Sequence, residues 1–111
     1  MEFLHVGINA KDAADAENVA QSIAALFGVE VTVGNSSIFL ADRKIEIMKG
    51  SGRGEHGHIC FGSHNIEEDI AKLQAQGVEF DESSAKYKDG KLSFMYMKGE
   101  IAGFALQILS Y

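Results

Sequence analysis

The chain of 111 residues has no proline, no tryptophan, one cysteine, no cluster of basic residues and no long apolar run. The first two absences exclude nothing by themselves. The third does, because Cys60 has no second thiol to pair with and an internal disulfide is ruled out. With no secretory leader at the start of the chain, the lone thiol leads to the expectation of a reducing, cytoplasmic setting. Lys and Arg number 10 against 16 Asp and Glu, a formal net charge of −6, and the bases nowhere gather into the patch that phosphate-backbone binding depends on. Nucleic acid is therefore not an expected partner. Apolar runs such as Ile23 to Phe27 are far shorter than the ~20 residues of a membrane helix, so membrane insertion is not expected either.

The chain is 46% hydrophobic and 23% charged, the balance of an ordinary globular domain, and the expectation is one domain over residues 1–111. At the start, Leu4, Val6 and Ile8 alternate with Phe3, His5 and Gly7, as in a strand with one apolar face. Asp12 then stands at a helix N-cap. Ala16, Val19, Ala20, Ile23, Leu26 and Phe27 follow at helical spacing, and Gly28 supplies a left-handed stop. Val29 to Val33, Ser37 to Leu40 and Lys44 to Met48 read as three short strands parted by Gly34-Asn35 and Asp42-Arg43.

After the glycine-rich stretch from Gly50 to Gly54 the same order returns. His58 to Phe61 is a strand, Asn65 and Glu68 have the spacing of a capping box, and Ile66, Ile70 and Leu73 mark a second helix ended by Gly77. Val78 to Phe80, Leu92 to Lys98 and Phe104 to Leu109 complete the repeat. His5-Val6-Gly7-Ile8 corresponds to His58-Ile59-Cys60-Phe61, an offset of about 53 residues. The predicted fold is α+β: two tandem βαβββ modules, about 1–50 and 55–111, forming a cupped, mostly antiparallel eight-stranded sheet with helices on its outer face.

Each module has a histidine in its first strand and a carboxylate or carboxamide in its last, giving His5, Glu46, His58 and Gln107. Alternation sends all four to the face opposite their apolar neighbours. Two imidazoles, a carboxylate and a neutral oxygen converging on one sheet face suit a divalent first-row metal with positions left open. The alternative is plainer: hydrogen-bonded strand histidines, and Glu46 paired at the surface with Lys44 or Lys49.

The doubled βαβββ order, with His5 and Glu46 opening and closing one module and His58 and Gln107 the other, resembles the vicinal oxygen chelate superfamily. That group includes glyoxalase I, methylmalonyl-CoA epimerase, extradiol dioxygenases and metal-free bleomycin-binding proteins. The resemblance implies a divalent ion (Zn, Ni, Mn or Fe) held by His5, Glu46, His58 and Gln107, and lyase or isomerase chemistry on a small 2-oxo or hydroxy compound. It equally admits a metal-free protein that binds a small molecule in the cup. A second likeness runs through Ile45-Glu46-Ile47-Met48-Lys49, Gly52-Arg53-Gly54 and Gly57-His58-Ile59. These segments resemble the small extra domain of some 2-keto-3-deoxy-6-phosphogluconate aldolases, which implies a non-catalytic module beside such an enzyme.

An amide at position 107 cannot take up a proton at neutral pH. Glu46 is therefore the leading general base and His56 the next. Arg53 is a candidate for holding an anionic substrate, or else belongs to a plain linker. Tyr96 and Phe94 share a strand face and either line the pocket or pack in the core. Cys60, on the face of His58, reads as a soft ligand or, more simply, a buried thiol. Exposed sheet edges and the run Phe94-Met95-Tyr96-Met97 lead to the expectation of a homodimer.

Overall fold

The structure is a computed structural model that describes residues 1–50 and 52–111. Ser51, in the glycine-rich stretch expected to join the modules, lies outside the described residues. The elements follow the order β1 (Glu2–Asn9), α1 (Ala13–Phe27), β2 (Val31–Val33), β3 (Ser37–Leu40), β4 (Ile45–Met48), β5 (Gly57–Ser63), α2 (Ile66–Ala75), β6 (Phe80–Lys88), β7 (Lys91–Ile101) and β8 (Phe104–Ser110). This is the expected βαβββ order, twice.

Among the described residues the eight strands form one open sheet in the order β2-β3-β4-β1-β5-β8-β7-β6. The first strand of each half lies parallel to the last strand of the same half, β1 with β4 and β5 with β8. The remaining neighbours are antiparallel, including β1 with β5, which joins the halves. The four strands that carry the histidines, Glu46 and Gln107 are thereby the four central ones.

Both helices cover the same face. Ala16 and Ala20 of α1 pack on Ile38, Leu40 and Ile47, while Ile66 and Ile70 of α2 pack on Met95 and Ile108. Small residues on α1 let it approach the sheet closely. The Asp12 side chain accepts the Asp15 backbone N–H at 2.8 Å, and Gly28 adopts φ 65° with its N–H donated to the Ala24 carbonyl. Such a cap contributes about 1 kcal/mol.

Several details differ from the sequence reading. Asn65 makes no side-chain cap on α2; its amide donates to the Glu68 carboxylate, and its own N–H is taken by Ser63 Oγ at 2.9 Å. The polar side chains satisfy one another before they reach the helix end. Leu26 and Phe27, expected on the buried stripe of α1, are 76% and 73% exposed. Strand β6 begins at Phe80 and runs to Lys88, because it pairs along β7 with register shifts rather than stopping at a turn. Met95 is buried in the core and Met97 packs against it, so part of the run expected at a subunit interface is already covered within the chain.

Leu40 is 1% exposed at the centre of the first core. Leu40→Ala is expected to lower the unfolding free energy by about 2–5 kcal/mol through lost burial and a residual cavity. Urea denaturation measures this, and a change below ~1 kcal/mol would show that the helix collapses onto the gap.

Candidate functional site

Strand register assembles the site. Gly7 of β1 lies opposite Glu46 on its parallel neighbour and opposite His58 on its antiparallel one. One step along, Cys60 lies opposite His5 and opposite Gln107. Paired residues point to the same side of a sheet, so these side chains share the face away from the helices. Gly7 has no side chain, and Glu46 and His58 meet in the space above it: His58 Nε2 is 3.3 Å from Glu46 Oε1. His5 Nε2 lies 3.5 Å from the same oxygen and 3.0 Å from His58 Nε2. A Cβ on Gly7 would fall 2.1 Å from the Cε1 of His58. The missing side chain is thus the seat of the His58 imidazole.

Glu46 is held from its other side by Ser37, a buried residue of β3 whose Oγ donates to Oε2 at 2.8 Å. Lys49, offered by the sequence as a surface partner for Glu46, instead donates its Nζ to the Gly34 carbonyl at 2.9 Å. Burial pushes the Glu46 carboxyl up, but hydrogen bonds from His58 and Ser37 and the charges of both imidazoles outweigh it, and the group stays below its ordinary range. Burial lowers the His5 imidazole. Glu46 opposes that, His58 and Arg43 add to it, and the result lies below the ordinary 6.5. The resting cluster at neutral pH is therefore an ionised carboxylate facing a His5 that is predominantly neutral, the protonation states in which these groups ligate metals.

The three nearest atoms, one from each of His5, Glu46 and His58, lie within 4.8 Å of one another. An ion bound at about 2.1 Å to each of several ligands sets neighbouring ligands about 3.0–3.4 Å apart. The separations of 3.0 and 3.3 Å fall within that spacing, and the third, 3.5 Å, lies just beyond it. Gln107 Oε1 is buried beside the cluster with no hydrogen-bond donor among the described residues. Leaving a buried acceptor unmatched costs about 1–3 kcal/mol, and a cation or a ligand donor removes that cost. The donor set thus fits a divalent metal.

A cavity of about 520 Å³ opens over the cluster, lined among others by Phe94, Tyr96, Gln107 and Arg43, and is large enough for a small organic molecule. Tyr96 stands edge-on to His58, with ring centroids 6.1 Å apart, and burial raises its phenol to about 12. Its hydroxyl is a proton-bearing donor at neutral pH. Cys60 is fully buried and pushed up to about 12 by burial and then by Glu46, so its thiol stays protonated.

The other expected residues, Arg53 and His56, do not line the cavity. The loop before β5 is tied down by Asn9, whose Nδ2 donates to the Gly54 carbonyl at 2.9 Å and whose Oδ1 accepts the Gly52 N–H at 3.1 Å. Arg53 on this loop pairs with Asp81 of β6 and lies over the Tyr96 ring, 4.9 Å from its centroid. The His56 ring is exposed, 3.9 Å from Glu55 and beside Phe104, and does not line the cavity. It is on the loop before the strand, so the alternation that orients His58 does not govern it. Gly7, Ser37 and Arg43 are site residues that sequence reading passed over. Of these, Gly7 had a signal, since it shares a strand face with His5.

Gly7→Ala is expected to displace the His58 imidazole and break its contact with Glu46, because the new methyl occupies the ring's place. Histidine NMR signals check this; unchanged His58 resonances in a folded variant would show that the ring has room. In metal-free protein, the lowered values of His5 and Glu46 mean that the unfolded chain takes up protons first as the pH falls. The stability from His5 is present above about pH 6.5 and is lost as the pH drops through its lower folded value, with the Glu46 contribution following in the carboxylate range. Urea midpoints in chelator between about pH 8 and 5 should fall more steeply for the wild type than for His5→Gln. Parallel curves would assign the acid sensitivity elsewhere.

No protein-family model matches the chain, and no curated protein sequence matches it. Solved structures do. A hypothetical protein from Bacillus halodurans C-125 superposes with a TM-score of 0.71 at 17% identity, over 99% of this chain and 94% of that one. A methylmalonyl-CoA epimerase superposes with a TM-score of 0.71 at 15% identity, over 100% and 95% of the two chains. The methylmalonyl-CoA epimerase of Mycobacterium tuberculosis follows with 0.66 at 16%, over 98% and 87%. The chain therefore has the fold of these solved structures, methylmalonyl-CoA epimerases among them, across its whole length.

Proposed function

We propose that this chain, acting as one domain of two modules (about 1–50 and 55–111), is a divalent-metal-dependent lyase or isomerase for a small 2-oxo or hydroxy compound. His5, Glu46 and His58 hold the ion and Gln107 is a weaker fourth ligand. The observation that carries this reading is the spacing of 3.0, 3.3 and 3.5 Å among the three ligand atoms, beside a buried amide oxygen with no donor among the described residues. When bound, the cation supplies Lewis-acid stabilisation of negative charge developing on two neighbouring substrate oxygens.

The chain's own residues do the rest. Ser37 orients Glu46, and Gly7 leaves room for His58 to reach it. Glu46, ionised at neutral pH, is the proton acceptor of the cavity; Gln107 cannot serve. Tyr96 keeps its proton and donates a hydrogen bond to an oxygen that gains charge. His56, exposed and outside the cavity, is left as a group for proton exchange with solvent, and Arg53, fixed by Asp81, stands over the Tyr96 ring. One base inside the cavity suits a lyase or isomerase step better than an epimerisation that needs a base on each face. The setting proposed is cytoplasmic and the assembly a homodimer, for which Leu26, Phe27, Val33, Tyr87 and Ile101 offer exposed apolar surface. Among the described residues no helix is long and apolar enough to cross a membrane.

The test is metal quantification on protein purified anaerobically and reconstituted with Ni, Zn, Mn or Fe. One equivalent per chain is expected for the wild type and loss of retention for His58→Ala. No stoichiometric binding of any of the four would end the metal reading. Ligand-induced stabilisation indifferent to chelator and to His5→Ala would then favour a metal-free binding protein, and co-purification with a sugar-acid aldolase would favour an accessory module.

A further inference from the structure

The turn between β3 and β4 has three successive non-glycine residues in the left-handed region, Ala41, Asp42 and Arg43, at φ 53°, 56° and 66°. Side-chain-bearing residues avoid that region. Here a run of three presents Arg43 to the site: its guanidinium carbon lies 3.9 Å from the centroid of the Phe39 ring, and Phe39 is the register partner of Glu46. Arg43 lines the same cavity as His5, Glu46 and His58 and is the only Lys or Arg to do so among the described residues. Stacking on the ring orients the guanidinium plane without consuming its N–H donors. No carboxylate among the described residues lies within ion-pair distance of it, whereas Arg53, the arginine that sequence reading favoured, is occupied by Asp81.

We propose that Arg43 binds a second, distal oxyanion of the substrate, so that the cavity selects 2-oxo or 2-hydroxy acids bearing a further carboxylate or phosphate. This rests on the reading of His5, Glu46 and His58 as the centre that takes the two vicinal oxygens. A planar fork of free donors suits a carboxylate or phosphate edge. In a chain of net charge −6, a solitary cation on the cavity wall also decides where an anionic ligand can enter.

The test measures binding by calorimetry to Ni-loaded and to metal-free protein, with three probes. 2-Oxoglutarate carries a distal carboxylate, 3-phosphoglycerate a distal phosphate, and 2-oxopentanoate neither. One or both of the first two should bind about tenfold or more tightly than 2-oxopentanoate, and whichever does identifies the oxyanion. The preference should vanish in Arg43→Met and persist in part in Arg43→Lys, with the thermal midpoints of the unliganded variants close to the wild type. Equal affinities for all three probes, binding of none, a preference retained in Arg43→Met, or one lost only in Arg53→Met would overturn the proposal. Failure to take up nickel with the Arg43-dependent preference intact would instead count against the metal centre alone.

Discussion

The antiparallel pairing of β1 with β5 is the constraint on which everything else depends. It joins the two halves into one sheet, and its register sets Gly7 against His58 while the parallel pairing of β1 with β4 sets Gly7 against Glu46. A slip of one residue in either pairing would turn the polar side chains into the helix-covered core and the apolar ones outward. Burial of Ile38, Leu40 and Ile47 beneath α1 and of Met95 and Ile108 beneath α2 holds the register in place. Core packing and site geometry are therefore two faces of one alignment.

On the open face the same alignment concentrates polar groups that a stable sheet would otherwise avoid. Glu46 and the two imidazoles are partly to fully buried, and Gln107 Oε1 has no partner among the described residues. Removing such groups from water is unfavourable unless they meet opposite charge or a donor. Glu46 is compensated by Ser37 and His58; Gln107 is not. Among the described residues, an acceptor left without a donor beside the clustered His5, Glu46 and His58 departs from the usual pairing of buried polar groups.

Around this centre the flanking turns are held by different means. Asn9 and the Arg53–Asp81 pair tie the loop before β5 on one side, and the left-handed turn of Ala41, Asp42 and Arg43 forms the other. The first is stapled by side-chain hydrogen bonds and the second by backbone conformation. Arg53 and Arg43 end in contrasting states, one paired with an acid and one over an aromatic ring with no carboxylate partner among the described residues.

The fold and the shared sheet face of His5, Glu46, His58 and Gln107 were legible in the linear order because both rest on local rules. Strand alternation sorted His5, Glu46, His58 and Gln107 to one face, helix caps and glycine stops bounded α1, and the repeat showed that each half supplies the same elements. Tertiary structure alone decided how the two halves met, since register between strands distant in sequence is set by side-chain packing that no local pattern encodes. It made Gly7 the seat of an imidazole and Ser37 a support for Glu46, left His56 outside the cavity, and gave the free guanidinium to Arg43 rather than Arg53. Alternation determines the face a residue occupies; only the packed sheet and its turns determine what that residue can reach.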